Sequence, residues 1–145
     1  MVLASYNNPW YYNDVVLETD DVIDYTGMVY LIHNTVDLKY YVGKKFFWSN
    51  KKLPPLKGKK RRRIKRVESD WKTYYGSSNK LLEDIERLGV DKFHRSVLHL
   101  CKTKTQCSYY EMKEQVDRNV LLTESYYNEF IGVKINSKQL VSLDD

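Results

Sequence analysis

Cysteine, glycine, histidine and long apolar runs are all scarce in this chain, and each scarcity removes a class of protein. Two cysteines, Cys101 and Cys107, in 145 residues cannot build a disulfide framework, so reduced thiols in a cytoplasmic setting are the simpler expectation. With six glycines the chain has no glycine-rich loop of the kind that cradles nucleotide phosphates, and no Gly-x-Ser-x-Gly elbow. No small-molecule cofactor is expected, and neither thiol has a clear His-Asp partner for nucleophilic catalysis. His94, His99, Cys101 and Cys107 lie close in sequence, but their spacing fits none of the paired-ligand zinc patterns. Strand alternation also sends His94 to the face opposite His99 and Cys101, so no structural zinc is expected. No run of about 18 apolar residues occurs, which gives no membrane-spanning segment and no membrane partner. The N-terminus lacks the basic and apolar stretches of a secretion signal.

What is abundant is tyrosine and clustered positive charge. Thirteen tyrosines stand against four phenylalanines and three tryptophans, and a hydrophobic fraction of 42% suffices for one real core. The net charge is only +5, yet eight of the ten residues from Lys57 to Arg66 are Lys or Arg. A block that dense is an electrostatic footprint for a polyanion. Its bland alternative is a solvated charged face or a flexible arm.

Taken in order, residues 1–26 read as an irregular extension carrying aromatics and an acidic run. Residues 27–45, GMVYLIHNTVDLKYYVGKK, read as two strands joined by a polar turn. Pro54, Pro55 and Gly58 make residues 46–58 a loop. Ile64, Val67 and Trp71 recur at helical spacing, which predicts a helix within residues 59–75. Ser77 and Ser78 offer a capping hydroxyl for a core helix over NKLLEDIERL that Gly89 ends. Residues 92–101 alternate as a strand. A helix is predicted from about Cys107 to Leu122, burying Tyr109, Met112, Val116 and Val120. A short strand over 127–131 and a frayed tail over 137–145 close an α+β pattern with antiparallel strands.

The candidate chemistry is tyrosine, lysine, arginine and carboxylate. Tyr30 and Tyr41 each sit in a strand of the hairpin, with Lys44 and Lys45 following Gly43. Such a set can position and stabilise a phosphodiester, although aromatic pairs are also ordinary sheet furniture. Glu111 and Glu114 are the candidate metal carboxylates, each equally readable as a solvated helix glutamate.

In combination, these residues resemble a GIY-YIG nuclease domain, most closely the Seg-type homing endonucleases of tailed phages. The resemblance spans about residues 25–131. It rests on Met28-Val29-Tyr30 after Gly27, on Tyr41-Val42-Gly43 eleven residues on, and on SDWKTYYGSSNKLLEDIERLG, FHRSVLHLC, YYEMKEQ and YYN in the family's order. It implies a small antiparallel sheet flanked by helices, and a DNA endonuclease that uses one Mg²⁺ or Mn²⁺ on duplex DNA in the cytoplasm of a phage-infected host. The alternative is a non-catalytic nucleic-acid-binding protein that keeps the fold. The resemblance makes Tyr30 the general base or water-positioning group, and Tyr41 the residue that orients phosphate and nucleophile. Lys44 is an added cation, Glu111 the metal ligand and Asn128 a brace. The family's helix arginine falls on Arg63, with Arg62 and Arg66 as competitors. Lys45, Lys59, Lys60, Arg61, Arg62, Arg66 and Lys72 are the expected nucleic-acid contacts. The implied layout is an extension over 1–26, a nuclease domain over 27–131 with a basic insertion over 51–66, and a tail over 132–145. A tyrosine, Tyr75, stands where many relatives carry a histidine, and little chain remains for a separate DNA-recognition domain.

Overall fold

The computed structural model describes residues 4–132 and 135–136. Its first strand, β1 (Trp10–Tyr12), lies inside the expected irregular extension and turns back on the two-residue β2 (Val15–Val16). The aromatic cluster explains why: Trp10 is fully buried, and its indole N–H donates to the Trp71 carbonyl at 2.7 Å. Burying a side chain of that size withdraws about 200 Å² from water, worth roughly 5 kcal/mol.

The predicted hairpin forms as β3 (Gly27–Asn34) and β4 (Lys39–Phe46), antiparallel, with Tyr30 opposite Gly43 and Leu31 opposite Val42. Asn34 Oδ1 accepts from the main-chain N–H groups of Val36 and Asp37, so the polar turn is tied by its own side chain.

The next segment departs from expectation. Residues 48–68 form a second hairpin, β5 (Trp48–Leu53) and β6 (Arg63–Glu68), where a loop and a helix are predicted. The helical spacing of Ile64, Val67 and Trp71 is a coincidence of composition. Ile64 is 68% exposed, and Trp71 fills the core from a separate 3-10 turn. Like charges at i,i+4 penalise a helix here, whereas a two-stranded ribbon spreads them over two faces. The proline pair and Gly58 occupy its tip.

Helix α1 (Asn79–Leu88) is capped as predicted: Ser78 accepts from Leu81 N–H, and Gly89 ends it with φ +93°. Strand β7 (Phe93–Cys101) follows and pairs antiparallel with β3 and parallel with β1. The main sheet therefore runs β2-β1-β7-β3-β4, mixed through its single parallel pair. Opposite Val29 and Tyr30 the register slips by one residue, a β-bulge at Leu98. The bulge reverses the expected faces: His99 and Cys101 join His94 on the side opposite Val97.

Helix α2 (Lys104–Asp117) ends five residues before Leu122 and turns the other way from the predicted orientation. Tyr109, Met112 and Val116 are exposed, while Cys107 and Gln115 are buried. Its inner side must serve a sheet edge as well as an apolar face. Cys107 packs on Val29, Val42 and Cys101, and Gln115 donates to a strand carbonyl. Val120 is buried as predicted, from the turn after the helix. A final pair, β8 (Phe130–Ile131) and β9 (Ile135–Asn136), closes the described chain. The predicted frayed tail over 137–145 lies outside the described residues. One apolar cluster fills the side of the sheet under Trp10, Phe47, Trp71 and Leu81; the other lies under α2. The fold is α+β.

Candidate active site

The site is built on the free edge of β4. Segment 125–128 first occupies that edge: Tyr40 N–H donates to Ser125 O at 2.7 Å, and Tyr127 N–H to Tyr40 O at 2.8 Å. Asn128 then pairs with Val42 through its side chain. Its Oδ1 accepts from Val42 N–H at 3.1 Å, and its Nδ2 donates to Val42 O at 2.8 Å. A side-chain amide thus substitutes for one more strand residue and ends the pairing. Tyr127 anchors the segment, its hydroxyl donating to Asp84 on α1 at 2.6 Å and accepting from Asn34 at 2.9 Å.

Immediately beyond this stop a pocket of about 360 Å³ opens, reaching around the sheet edge from one face to the other. Tyr41, Ser77 and the start of α1 line one side. Lys44, Glu111 and Gln115 line the other, with Asn128 between them. Tyr41 Oη lies 3.2 Å from Ser77 Oγ, and burial pushes its pKa up. Its phenol therefore keeps its proton at neutral pH and can donate a hydrogen bond. Lys44 Nζ donates to Ser108 at 2.8 Å and stands 3.9 Å from Glu111 Oε1. Burial also raises the pKa of Glu111, whose side chain is only 15% exposed; the Lys44 ammonium and main-chain N–H oppose the shift. A carboxyl held in that state gains by meeting a further positive charge.

Gln115 supplies a donor set that the sequence reading missed. Its Nε2 donates to Val42 O at 3.1 Å, and because a carbonyl can only accept, the amide orientation is fixed. Among the described residues Oε1 is left buried without a partner, one helical turn from Glu111 and on the same pocket wall. A carboxylate and an amide oxygen on one wall are hard-oxygen donors of the kind a divalent cation takes. Among the described residues no three His, Cys, Asp or Glu side chains converge. The remaining ligands of such an ion would be phosphate oxygens and water, the usual arrangement for Mg²⁺.

The other predicted site residues are placed as follows. Glu114 is held by His99 Nε2 and Arg118 Nε, both at 2.9 Å, and does not line the pocket, whereas Glu111 does, as does Glu129, which pairs with Lys80 at 3.3 Å. Tyr30 is 1% exposed and lies behind Tyr41, with ring centroids 6.2 Å apart. Burial raises its pKa well above the ordinary phenol value. It is placed as a support for Tyr41 and makes no wall of the pocket. Arg63 lies on β6 rather than on a helix, and its Nε donates to Pro54 O at 3.2 Å on the exposed ribbon. Arg62 and Arg66 are on the ribbon too, and neither lines the pocket, so Lys44 is the cation of its described lining. Lys45 is paired with Asp70 at 2.7 Å beside the Tyr74 ring, and Lys72 lies over Tyr6 and Trp71. Lys59, Lys60 and Arg61 stand exposed at the ribbon tip.

Two glycines hold the tyrosine pair in place. A Cβ at Gly43 would come within 2.7 Å of Tyr30 Cζ and 3.1 Å of Tyr41 Cε2. Gly76 combines φ +88° with a comparable approach to Tyr41, 3.1 Å. Gly43→Ala is therefore expected to lower stability by about 1–3 kcal/mol on urea unfolding. An alanine tolerated at no cost would contradict this stacking.

The buried Arg95 is a structural hub. It donates to the carbonyls of Asn8, Lys72 and Tyr74 and so ties the start of the chain and the Trp71 turn to β7. Its sequence signal is an arginine at an apolar phase of an alternating strand.

Comparison with known proteins gives the chain's family. No curated protein and no solved structure matches the chain. The model of the SegE_GIY-YIG family, the GIY-YIG domain of the segE type of endonuclease, matches residues 10–131. The match begins at β1, runs through both hairpins and both helices, and ends at β8. The chain belongs to the SegE_GIY-YIG family of nuclease domains.

Proposed function

We propose that the chain is a metal-dependent DNA endonuclease whose reaction takes place in the β4-edge pocket. The observation that carries this reading is that Glu111, its pKa raised by burial, and the orphaned Gln115 Oε1 share one wall with Lys44 and face Tyr41 and Ser77 across one cavity. One wall suits a cation and the other a phosphate. The N-terminal end of α1 adds its unpaired N–H groups to the phosphate side.

In the hydrolysis, a water oxygen forms the new bond to phosphorus and one ester P–O bond breaks. The products are a phosphomonoester end and a hydroxyl end. Glu111 and Gln115 would hold one Mg²⁺ or Mn²⁺, which when bound supplies Lewis acidity at the scissile phosphate. Lys44 neutralises charge on the non-bridging oxygens, the work assigned to an arginine in the sequence reading. Tyr41 and Ser77 donate hydrogen bonds that orient phosphate and water. Tyr30 keeps the Tyr41 ring from swinging inward, and Asn128 fixes the edge against which all of these are registered.

The test is incubation of the purified chain with supercoiled plasmid and Mg²⁺ or Mn²⁺. Nicked or linear product that EDTA abolishes is expected. The absence of an arginine from the described pocket lining favours one competing reading, a binding module that retains the fold. That reading gains if duplex DNA is bound and never cut.

The pH dependence follows from the sign of the Glu111 shift. A raised pKa means that protonation sets in at a higher pH than for a free glutamate. Mn²⁺ affinity, read by calorimetry, is expected to be full above that value and to fall as the pH drops through it. A profile that weakens only below the ordinary carboxylate range would remove Glu111 from the ligand set.

A further inference from the structure

Resting on the endonuclease reading for the identity of its polyanion, we propose that the β5–β6 ribbon is a DNA-binding arm that lies in the major groove of the duplex. Residues 49–67 contain ten Lys or Arg and no acidic residue. None of the ten has a carboxylate partner among the described residues. Lys51 stands directly opposite Lys65 in the ladder, an arrangement that destabilises a hairpin unless an anion lies between or beside the two ammonium groups. The ribbon carries this electrostatic cost with no carboxylate among the described residues to relieve it.

Its shape selects among nucleic acids. The strands pair only with each other, separate from the main sheet. Six residues at about 3.3 Å each give an arm of roughly 20 Å. The base is fixed: Trp48 Nε1 donates to Val22 O, the Arg66 guanidinium covers the Trp48 ring at 4.2 Å, and Ser69 N–H donates to Phe47 O. A two-stranded ribbon fits the B-form major groove, about 12 Å wide, whereas the deep, narrow major groove of A-form RNA does not admit it. Residues 49–67 hold no aromatic side chain, so the stacking platforms that single strands require are missing.

Alternation assigns the two faces different work. Lys51, Arg63 and Lys65 share one face, a set made for phosphates. Asn50, Lys52 and the 68% exposed Ile64 share the other, and bring an amide, an ammonium and an apolar group of the kinds that read base edges.

The test uses the full chain carrying Glu111→Gln, so that DNA is held uncut, with and without Lys51→Gln, Arg63→Gln and Lys65→Gln together. The triple change is expected to leave the melting temperature unchanged or raised, since it relieves the Lys51–Lys65 repulsion. It is expected to reduce the salt slope of duplex binding by about 2–3 and to weaken binding about 100-fold near physiological salt. Dimethyl sulfate footprinting should show protection of guanine N7, in the major groove. An unchanged slope, protection confined to adenine N3 in the minor groove, or tighter binding of single-stranded DNA or an RNA hairpin would overturn the proposal. Duplex binding with N7 protection by a wild-type chain that never cuts would uphold the arm and overturn the endonuclease reading. Cleavage by the wild type with an unchanged slope in the triple variant would do the reverse.

Discussion

Glu111→Gln is expected to abolish plasmid cleavage, by at least about 100-fold, or roughly 3 kcal/mol in the barrier, without unfolding the protein. Glutamine keeps the shape and removes the charge. The folded state makes poor use of that charge: burial raises the Glu111 pKa, and the Lys44 ammonium at 3.9 Å offsets this only in part. A carboxyl whose folded pKa is raised costs stability at any pH where it is ionised, so at neutral pH the variant should melt at the same temperature or higher. Loss of activity together with retained or increased stability marks a residue kept for a ligand rather than for packing. A clear drop in melting temperature would instead make Glu111 a structural partner of Lys44. Plasmid cleavage, thermal melts and duplex binding on one preparation decide the matter.

Asn128→Ala is expected to damage both stability and activity, for a different reason. Asn128 satisfies both main-chain groups of Val42, and alanine leaves the Val42 N–H in a buried place without a partner. The carbonyl keeps Gln115 Nε2 as its donor. The expected loss is about 2–3 kcal/mol on urea unfolding, with faster hydrogen exchange at the Val42 amide. The Gln115 amide and segment 125–132 are both registered on this strand edge, so cleavage should fall at least tenfold beyond what unfolding explains. Asn128→Asp separates the two hydrogen bonds. It still accepts from Val42 N–H, cannot donate to Val42 O, and puts a second negative charge beside Glu111. Wild-type behaviour of the Asn128→Asp variant would show that only the N–H bond matters.

The parts of this fold that are legible in sequence are those set by local chemistry. The β3–β4 hairpin has strand-forming runs around a turn, and α1 has its Ser78 cap and Gly89 stop. The illegible parts depend on partners distant in sequence. The ribbon is determined by cross-strand pairing and charge, whereas Ile64, Val67 and Trp71 alone imitate a helix. The bulge at Leu98 moves His99 and Cys101 across the sheet, and no local residue marks it. Helix α2 presents Gln115 inward because the edge of β4 has a carbonyl to satisfy, so its apolar stripe misleads. In the pocket, Tyr41, Lys44, Glu111 and Asn128 are recoverable from the order of motifs. Gln115 has one available signal, its position one turn beyond Glu111. Arg63 lies on the ribbon and outside the pocket lining, because the helix expected to carry it is replaced by β6.

The most direct test of the central claim, that one pocket holds the metal and the phosphate, is paramagnetic broadening of amide resonances by Mn²⁺ in the absence of DNA. The expected result is broadening centred on Tyr41–Lys44, Glu111–Gln115 and Asn128, lost in Glu111→Gln. Broadening centred elsewhere, around Glu114 and His99 or along the acidic residues before β3, would contradict it.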